Sequence, residues 1–517
     1  MPTPAESLAK ALEMLQELHS RRQFVVASGD LAEVYRARLV KAGYLKPVIR
    51  GWYLTSRPDE MDGDTTPWQA SWQEFVARYC NKRFGTDWHL SPEQSLHVLT
   101  TTPLPSRQIL VHAKRGHNNR TDLPHSWSIL DLKAPTLAPD TEILNINGLR
   151  TLSISFALTQ VSEAFFRSQK EAAQIALELL PDISDLVRIL ISENKPIVGG
   201  RMVAALRAVG RDREATEMRK TMEAVGYKVL ESDPFETPPT VISPAIKRSP
   251  YVLRINRMWT EMTREVVRIF GDPPGVPADS DAYLNDVEAR YVADAYNSLS
   301  IEGYNVSPEL IEKVRTGSWN PNSEEDKRSR DAMAAKGYSL AHDEVKKTIA
   351  SIFAGSNPGD AFNLALPDWN RSLWTPSVTA GILRPEELAG YRNAQVFIRN
   401  ADHVPPPREA VRDCMPELFE LLKNENHAAV RAVLGHFIFV FIHPYMDGNG
   451  RLGRFLMNAM MASGGYPWTV IPMAKRADYF SALNDASGRH DIAPVSYTHL
   501  RAHETKANLV CRLLLEK

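Results

Sequence analysis

Several features that would place a protein in a specialised class are scarce in this 517-residue sequence. It contains only three cysteines, Cys80, Cys414 and Cys511, too few and too widely spaced for a disulfide framework, and this fits a reducing cytoplasm. No apolar run reaches the roughly 18 residues that a membrane-spanning helix needs. The first residues, Met-Pro-Thr-Pro-Ala-Glu, lack the basic start and apolar core of a signal peptide. We therefore expect a cytoplasmic protein without a membrane segment.

An excess of charge of one sign is also absent, because 61 Lys and Arg residues balance 62 Asp and Glu residues. The length and the apolar share of 43% suffice for about three domains. A local imbalance lies between Arg21 and Arg57, where eight Lys or Arg residues face two acids. Such a basic patch is the electrostatic footprint of DNA binding, although the solvated face of a protein-interaction module has the same composition. The sequence leaves these two readings open.

The densest group of chemically capable residues is the stretch His443-Pro-Tyr-Met-Asp-Gly-Asn-Gly-Arg-Leu-Gly-Arg454, which follows an apolar helical run. Gly448 and Gly450 let the backbone approach an anion without a Cβ in the way. The N–H groups at the start of the next helix would face that anion. Arg451 and Arg454 are three residues apart and share one helix face, which suits two phosphates. The stretch therefore predicts an anion-binding helix start.

Two further side chains in this stretch add reactive chemistry. Asp447 offers hard oxygen ligands of the kind that suit the Mg²⁺ accompanying a nucleotide. His443 titrates near neutrality and can act as a general base. A His-Pro corner followed by glycines and basic residues is also compatible with an ordinary helix–loop–helix turn. All of these features in this order and spacing favour phosphate chemistry.

The same stretch closely resembles the signature of the Fic family, H-x-F-x-D/E-G-N-G-R-x-x-R, with Tyr445 in place of the usual Phe. The resemblance implies a mainly α-helical Fic domain on the C-terminal side of the chain. It also implies an enzyme that moves AMP from ATP to a Ser, Thr or Tyr hydroxyl of a target protein. The implied roles are a catalytic base at His443, a magnesium ligand at Asp447, and binding of the nucleotide by Gly448, Asn449, Gly450, Arg451 and Arg454.

A second resemblance to this family lies before the signature. The stretch Asn297-Ser-Leu-Ser-Ile-Glu-Gly303 resembles the inhibitory motif S/T-x-x-x-E-G/N, with Ser298 and Glu302 in its two defining positions. A carboxylate that reached Arg454 from there would form a bidentate pair with it and keep it from the γ-phosphate of ATP. The alternative is an exposed glutamate beside a glycine that ends a helix. The presence of both motifs on one chain favours inhibition.

Two more stretches match the family. The segment Gly390-Tyr-Arg-Asn-Ala-Gln-Val-Phe-Ile-Arg399 resembles the region that forms a β-hairpin flap over the site. This implies that residues 394–398 pair with an extended target segment and bring a target hydroxyl to His443. Tyr479 and Phe480 match the aromatic pair that walls the adenine, so the resemblance assigns both to cofactor binding.

The N-terminal part carries a fainter resemblance. Leu39-Val-Lys-Ala-Gly-Tyr-Leu45 and Arg50-Gly-Trp-Tyr53 echo the pattern of AbiEi-type antitoxins and regulators. The resemblance implies a winged-helix-like module at residues 1–60 and a mixed α/β domain at 61–235. DNA would bind through residues 21–57.

Spacing and composition predict the remaining organisation. Between Ser28 and Gly43 there is too little room for two full helices and a turn, so a recognition helix there is expected to be short. Proline-rich stretches predict a linker region at 236–280, ahead of the Fic domain at 281–494. Residues 495–517 resemble the translation of a sequencing-library adapter, and we expect them to be an artefact tail.

The expected function is a protein adenylyltransferase held inactive by Glu302. Two alternatives remain: a DNA-binding regulator whose Fic domain modifies itself or a partner, and an enzyme that mainly removes AMP. The predicted ligands are ATP, Mg²⁺ and a target protein with a reactive hydroxyl. A homodimer, the identity of the target and any operator sequence are left open.

Overall fold

The computed structural model describes residues 3–59, 64–235, 249–318, 330–388, 390–399 and 401–501. The chain forms two compact units, one of Met1–Arg254 with Phe397–Val404 and one of Ile255–Val396 with Pro405–Lys517. Within the described ranges, each helix is either too short or too polar to serve as a bilayer span. A mainly helical architecture with sheets confined to the N-terminal part confirms the predicted fold class.

The first unit opens with a helix, a strand, a short helix and a hairpin: α1 (Pro4–Ser20), β1 (Val25–Ala27), α2 (Glu33–Lys41), β2 (Leu45–Ile49) and β3 (Trp52–Thr55). The three strands pair antiparallel in the order β1-β3-β2. A capping box starts α1, since the side chain of Thr3 accepts the N–H of Glu6 while the Glu6 carboxylate accepts the N–H of Thr3. Between Ser28 and Gly43 lies the single nine-residue helix α2, as the spacing predicts.

A mixed α/β layer follows, built from α3 (Thr66–Phe84), β4 (Trp88–Leu90), α4 (Pro92–Thr100), β5 (Gln108–Ala113), β6 (Asn119–Asp122), β7 (Ser128–Lys133), β8 (Ile143–Ile146) and β9 (Leu149–Leu152). The larger sheet has the order β4-β5-β7-β6, with β5 and β7 parallel, and β8 pairs with β9. Burial alternates along β5, because successive side chains of a strand point to opposite faces. The inward side chains Ile109, Val111 and Ala113 join an aromatic core that includes Trp68 and Trp88.

The rest of the first unit is helical: α5 (Ile154–Gln160), α6 (Glu163–Ser168), α7 (Lys170–Leu179), α8 (Ser184–Ser192), α9 (Pro196–Ala208) and α10 (Asp212–Ala224). These helices share one apolar core. Two ion pairs tie Phe397–Val404 into this unit: Arg107 to Asp402 at 2.9 Å and Arg399 to Asp64 at 3.3 Å.

The second unit is built on helices: α11 (Pro250–Phe270), α12 (Ser280–Ile301), α13 (Pro308–Arg315), α14 (Arg330–Phe353), α15 (Pro358–Thr379), α16 (Arg408–Asn424), α17 (Ala428–Ile442), α18 (Asn449–Ala462), α19 (Arg476–Arg489) and α20 (Ala493–Arg501). Almost every side chain of α17 and α18 is buried, as expected for helices that run through the middle of a core. The two helices pack closely at Gly453, since a Cβ built on this glycine would lie only 2.9 Å from the side chain of Val440.

The linker predicted at 236–280 is wrong over Pro250–Phe270, which forms helix α11. Ile255, Met258 and Val266 recur at helical spacing and are buried, so this stretch belongs to a core. The proline-rich stretch at 236–248 lies outside the described residues.

At the other end, the described part of the predicted artefact tail includes most of α20, in which Val495 and His499 are buried. Residues 502–517 lie outside the described ranges, and the adapter interpretation stays a prediction.

Candidate active site

The turn between α17 and α18 has a left-handed residue at each end. His443 caps α17 with φ 54° and ψ 62°, and the proline that follows disfavours continued helix. Gly448 precedes α18 with φ 87°, a conformation that glycine adopts without strain. The side chain of Asn449 stabilises the turn, because its Oδ1 accepts a hydrogen bond from the N–H of Tyr445 at 2.9 Å and its Nδ2 donates one to the Tyr445 carbonyl at 2.8 Å. The Asn449 side chain is thus engaged within the loop, which leaves only its backbone N–H for an anion.

The half-buried imidazole of His443 is held in one tautomer. Its Nδ1 lies 3.1 Å from the carbonyl oxygen of Val440, and a carbonyl can only accept, so Nδ1 carries the hydrogen. The opposite nitrogen, Nε2, then presents a lone pair. Burial lowers the pKa of His443 below its ordinary value of 6.5, although the Val440 carbonyl and the Glu302 carboxylate act in the opposite direction. A neutral imidazole with a free Nε2 is the form that a general base requires.

Sequence reasoning missed Arg392, which fastens this turn to the segment that precedes α16. Its Nε donates to the carbonyl of His443 at 2.8 Å, and its backbone N–H donates to that of Pro444 at 2.9 Å. The guanidinium also donates to the carbonyls of Ala394 and Pro406. Burial lowers the pKa of Arg392 to about 10. A lone arginine in a loop gives no sequence signal for this role, which depends on three segments meeting.

The β-hairpin flap expected at 394–398 does not form, since no strand occurs in the described stretch 390–399. The carbonyl of Ala394 accepts a hydrogen bond from the Arg392 side chain rather than from a partner strand. The predicted flap is divided between the two units, because Phe397–Val404 belongs to the first unit and the residues up to Val396 belong to the second. A target-pairing role for 394–398 stays a prediction.

The first arginine of α18, Arg451, is buried without a hydrogen bond. Only 1% of it is exposed, and none of its three guanidinium nitrogens has a hydrogen-bond partner among the described residues. The rings of Trp374 and Tyr304 lie 4.8 and 5.1 Å from its guanidinium carbon. The carboxylate of Asp447 is 3.7 Å away, beyond hydrogen-bond length. A buried cation with free N–H groups is costly unless an anion joins it.

The second arginine, Arg454, already has partners. Its Nε donates to Ser298 Oγ at 2.8 Å, and its Nη2 donates to the Ser298 carbonyl at 3.0 Å and to Glu302 Oε1 at 2.7 Å. The bidentate Glu302–Arg454 pair expected from the sequence is therefore wrong in detail. One nitrogen, Nη2, meets one carboxylate oxygen, while Ser298 accepts from Nε and Nη1 has no hydrogen-bond partner among the described residues. Glu302 does reach Arg454 across 152 residues of sequence.

The Glu302 carboxylate lies directly over the glycine loop. A Cβ built on Gly450 would be 2.1 Å from Glu302 Oε1 and 3.2 Å from Arg454 Nη1. Burial opposes ionisation of Glu302, but the charge and hydrogen bond of Arg454, together with the charge of Arg451, lower the pKa of this carboxyl. The negative charge of Glu302 thus stands where the sequence predicts that an anion binds.

Asp447 is the most accessible charged group of the turn. About 60% of its side chain is exposed, and its Oδ1 accepts the N–H of Gly448 at 2.5 Å. Oxygens of this carboxylate remain open to solvent, so the residue fits a hard divalent cation.

The two aromatic residues assigned to the adenine pocket differ in environment. Tyr479 is 1% exposed, and its hydroxyl is 3.0 Å from Nε2 of the buried His436. Direct contact of Tyr479 with a nucleotide is not supported by this arrangement. Phe480 is half-buried, and the guanidinium of Arg476 lies 4.7 Å from its ring. Phe480 is therefore the member of the pair with surface available to a base.

A cavity of about 540 Å³ also lies in the second unit, between α15, α16 and the residues before the turn. Tyr391 and Tyr445 line it, whereas His443, Asp447, Arg451 and Arg454 do not. The ionisable groups of the turn are thus gathered outside this cavity.

Comparison with known proteins gives matches to this part of the chain. Residues 376–461 match the model of the Fic/DOC family. A protein adenylyltransferase Fic from Nematostella vectensis is 39% identical over 230 residues, which cover 42% of this chain and 48% of that protein. A protein adenylyltransferase fic-1 from Caenorhabditis elegans is 32% identical over 107 residues, 20% of this chain and 21% of that protein.

The chain therefore spans about half or less of the length of these curated relatives. A solved structure of C. elegans Fic-1 (residues 134–508) aligns with 69% of this chain and 98% of its own, at 18% identity and a TM-score of 0.36.

Proposed function

We propose that this chain, a Fic-family protein through its residues 376–461, transfers AMP from ATP to a hydroxyl of a target protein. The named activity of the Nematostella and Caenorhabditis relatives supports this reaction. The observation that carries the proposal is the arrangement within one turn of a neutral imidazole, an open carboxylate and a buried arginine without a hydrogen bond. General base, cation ligand and phosphate ligand are the groups that nucleotidyl transfer needs.

In the proposed reaction, Arg451, Arg454 and the backbone N–H groups of 448–450 hold the phosphates of ATP. Nε2 of His443 accepts the proton of a Ser, Thr or Tyr hydroxyl on the target. The hydroxyl oxygen then forms a bond to the α-phosphorus, the bond to the bridging oxygen breaks, and pyrophosphate leaves. Mg²⁺, held by Asp447, would neutralise phosphate charge. The protein's contribution is mainly positioning and charge stabilisation.

Glu302 is proposed to keep this reaction slow. Its carboxylate lies over Gly450 and accepts a hydrogen bond from Arg454, so it competes with a phosphate for the same donor. Ser298 accepts hydrogen bonds from Nε and Nη2 of Arg454, which leaves Nη1 without a hydrogen-bond partner among the described residues. The anion position is thus filled from within the chain until this carboxylate moves away.

Isotope placement tests the reaction. With purified protein, cell lysate and ATP, label on the α-phosphate is expected to enter protein, whereas label on the γ-phosphate is expected to leave as pyrophosphate. Transfer of the γ-label into protein would instead indicate a kinase. If the protein instead releases AMP from a target that already carries labelled AMP, and adds none to unmodified protein, the enzyme that removes AMP is favoured. Absence of both reactions in the Glu302→Gly variant would refute the proposed transfer.

DNA binding is a second candidate function, assigned to the first unit. Arg38 and Lys41 on α2, and Arg50 between β2 and β3, are exposed. None of the three takes part in an ion pair found among the described residues. Each unpaired surface cation can neutralise a DNA phosphate. Replacing all three with alanine is expected to weaken DNA binding and to reduce its salt dependence by about one unit of slope per lost contact.

The control is the triple alanine variant of Arg213, Lys220 and Lys228, which are exposed cations of the same unit. The measurement is fluorescence anisotropy on a duplex from the gene's own promoter at several salt concentrations. Equal loss in both triple variants would mean that only net charge matters. No binding by the wild-type protein would remove this function.

A further inference from the structure

Two aromatic rings, those of Trp374 and Tyr304, lie against the guanidinium of Arg451. The ring centroid of Trp374 is 4.8 Å from the guanidinium carbon, and that of Tyr304 is 5.1 Å. We propose that these residues form an aromatic clamp that orients Arg451 toward the outer phosphates of the nucleotide, and that Trp374 also contacts the nucleotide. This inference rests on the proposed function, since it assigns the residues that select a polyphosphate at the same site.

The state of the guanidinium supports the clamp. Arg451 is 1% exposed and has no hydrogen-bond partner among the described residues, so water does not solvate it. The faces of aromatic rings attract a cation without using its N–H groups. Those groups lie in the guanidinium plane and remain free to donate to two oxygens of a phosphate. The clamp therefore holds the charge in place and leaves its donors available.

The neighbouring acids do not fill this role. Asp447 is 3.7 Å from Arg451 and mostly exposed, and the Glu302 carboxylate accepts a hydrogen bond from Arg454 instead. Of the two arginines of α18, one is therefore held by a carboxylate and a serine, and the other by rings. This difference indicates that Arg451 remains ready for an anion even while Glu302 occupies Arg454.

Trp374 also lies against the glycine loop. A Cβ on Gly448 would be 3.3 Å from Nε1 of Trp374 and 2.9 Å from the side chain of Leu373. Among the described residues, the Trp374 ring contacts the Arg451 guanidinium, and no acceptor for its Nε1–H is found. The indole N–H is thus a donor beside the loop at which the phosphates are proposed to bind, which makes Trp374 a binding residue.

Tyr304 has a positioning role. It follows Glu302 by two residues, so one turn after α12 places a carboxylate on Arg454 and a ring on Arg451. The guanidinium of Arg330 lies 5.0 Å from the same tyrosine ring. Two cations that share one ring raise the local positive charge, which further favours a polyphosphate over a single phosphate.

Nucleotide affinity tests the clamp. In a Glu302→Gly background, where the competing carboxylate is gone, calorimetric titration compares ATP and AMP, each with magnesium. Trp374→Leu is expected to weaken ATP binding by about tenfold, because it removes both the ring and the N–H. AMP affinity should stay unchanged, since AMP has no outer phosphates for Arg451. Retained AMP binding also demonstrates an intact pocket.

A conservative series separates the two contributions of the indole. Trp374→Phe keeps a ring for the cation and loses the N–H, so it should recover part of the ATP affinity. Tyr304→Leu should weaken ATP binding in the same direction, while Trp72→Leu, a half-buried tryptophan of the first unit, should have no effect.

The outcomes are distinguishable. Unchanged ATP affinity in Trp374→Leu would overturn the clamp and leave the proposed transferase intact. Equal loss of ATP and AMP affinity would also overturn it, because a general disturbance of the pocket would then explain the result. Failure of the Glu302→Gly parent itself to bind ATP would overturn the proposed function and the clamp with it.

Discussion

Replacement of Glu302 with glycine is expected to raise the rate of AMP transfer by about 10- to 100-fold. The reason is the charge-assisted hydrogen bond between its carboxylate and Arg454, 2.7 Å long. Such a bond contributes about 1.5–3 kcal/mol, and each 1.4 kcal/mol is about a tenfold change in an equilibrium. The glycine frees Arg454 and the space over Gly450 for a phosphate. The measurement is the initial rate of incorporation of α-labelled ATP into protein.

Two variants control this experiment. Glu302→Gln removes the charge and keeps the size, so its rate should fall between those of the wild type and the glycine variant. Glu288 lies on α12, more than three helical turns before Glu302, and pairs with Arg315 of α13 and Lys346 of α14. Glu288→Gln breaks these ion pairs and should leave the rate unchanged. A glycine variant that binds ATP but transfers AMP no faster than the wild type would contradict an internal brake.

The brake should not respond to pH near neutrality. Burial raises the pKa of Glu302, but the charge and hydrogen bond of Arg454 together with the charge of Arg451 bring it below its ordinary value of 4.5. A carboxyl with a depressed pKa contributes its stabilisation above its unfolded pKa and loses it as the pH falls through its folded pKa. Between pH 6 and 9, therefore, the ratio of the Glu302→Gly rate to the wild-type rate is expected to stay constant.

Replacement of His443 with alanine in the Glu302→Gly background is expected to lower the transfer rate by about 10²- to 10⁴-fold, the usual contribution of a general base. ATP affinity should change little, because the imidazole is proposed to contact the target hydroxyl rather than the phosphates. Rates and calorimetric affinities measured on the same preparations separate the two effects. A variant with alanine at His490, a histidine elsewhere in the second unit, should keep the full rate.

The pH profile supplies an independent check on His443. Its pKa is lowered by burial from 6.5, and the base form is the neutral one. The transfer rate should therefore be flat above neutrality and fall only below about pH 6.5. A transfer rate that already falls with decreasing pH above pH 7 would be incompatible with His443 as the base. A His443→Ala variant as active as its parent would be incompatible with it too.

Much of the site could be predicted from the sequence because its groups are local. Twelve consecutive residues contain the base, the carboxylate, the glycines and both arginines. Helix geometry places residues three apart on one face, and glycines tolerate the left-handed backbone of the turn. The inhibitory motif could be recognised in the same way, since Ser298 and Glu302 are one helical turn apart and both reach Arg454.

Other expectations failed where composition misled. The prolines on both sides of α11 led to the prediction of a linker at 236–280, whereas Pro250–Phe270 is an amphipathic helix. The expected flap hairpin is absent from the described stretch 390–399, where the Ala394 carbonyl accepts a hydrogen bond from the side chain of Arg392. The assignment of Tyr479 to the adenine stays a prediction, and its neighbours in the chain do not reveal that it packs against His436. Periodicity and motif position indicate the secondary structure and the role of a residue, but they do not reveal which side chains from other segments pack against it.

By itself the sequence determined the chemical groups of the turn, the mainly helical class and the pairing of a phosphate-type motif with a distant carboxylate. Only the tertiary structure decided that Glu302 meets Arg454 through one oxygen, that Arg392 holds the His443 carbonyl, and that Trp374 and Tyr304 enclose Arg451. The physical reason is range. Turns and helix faces follow from contacts a few residues apart, whereas burial and partners depend on segments that only packing brings together.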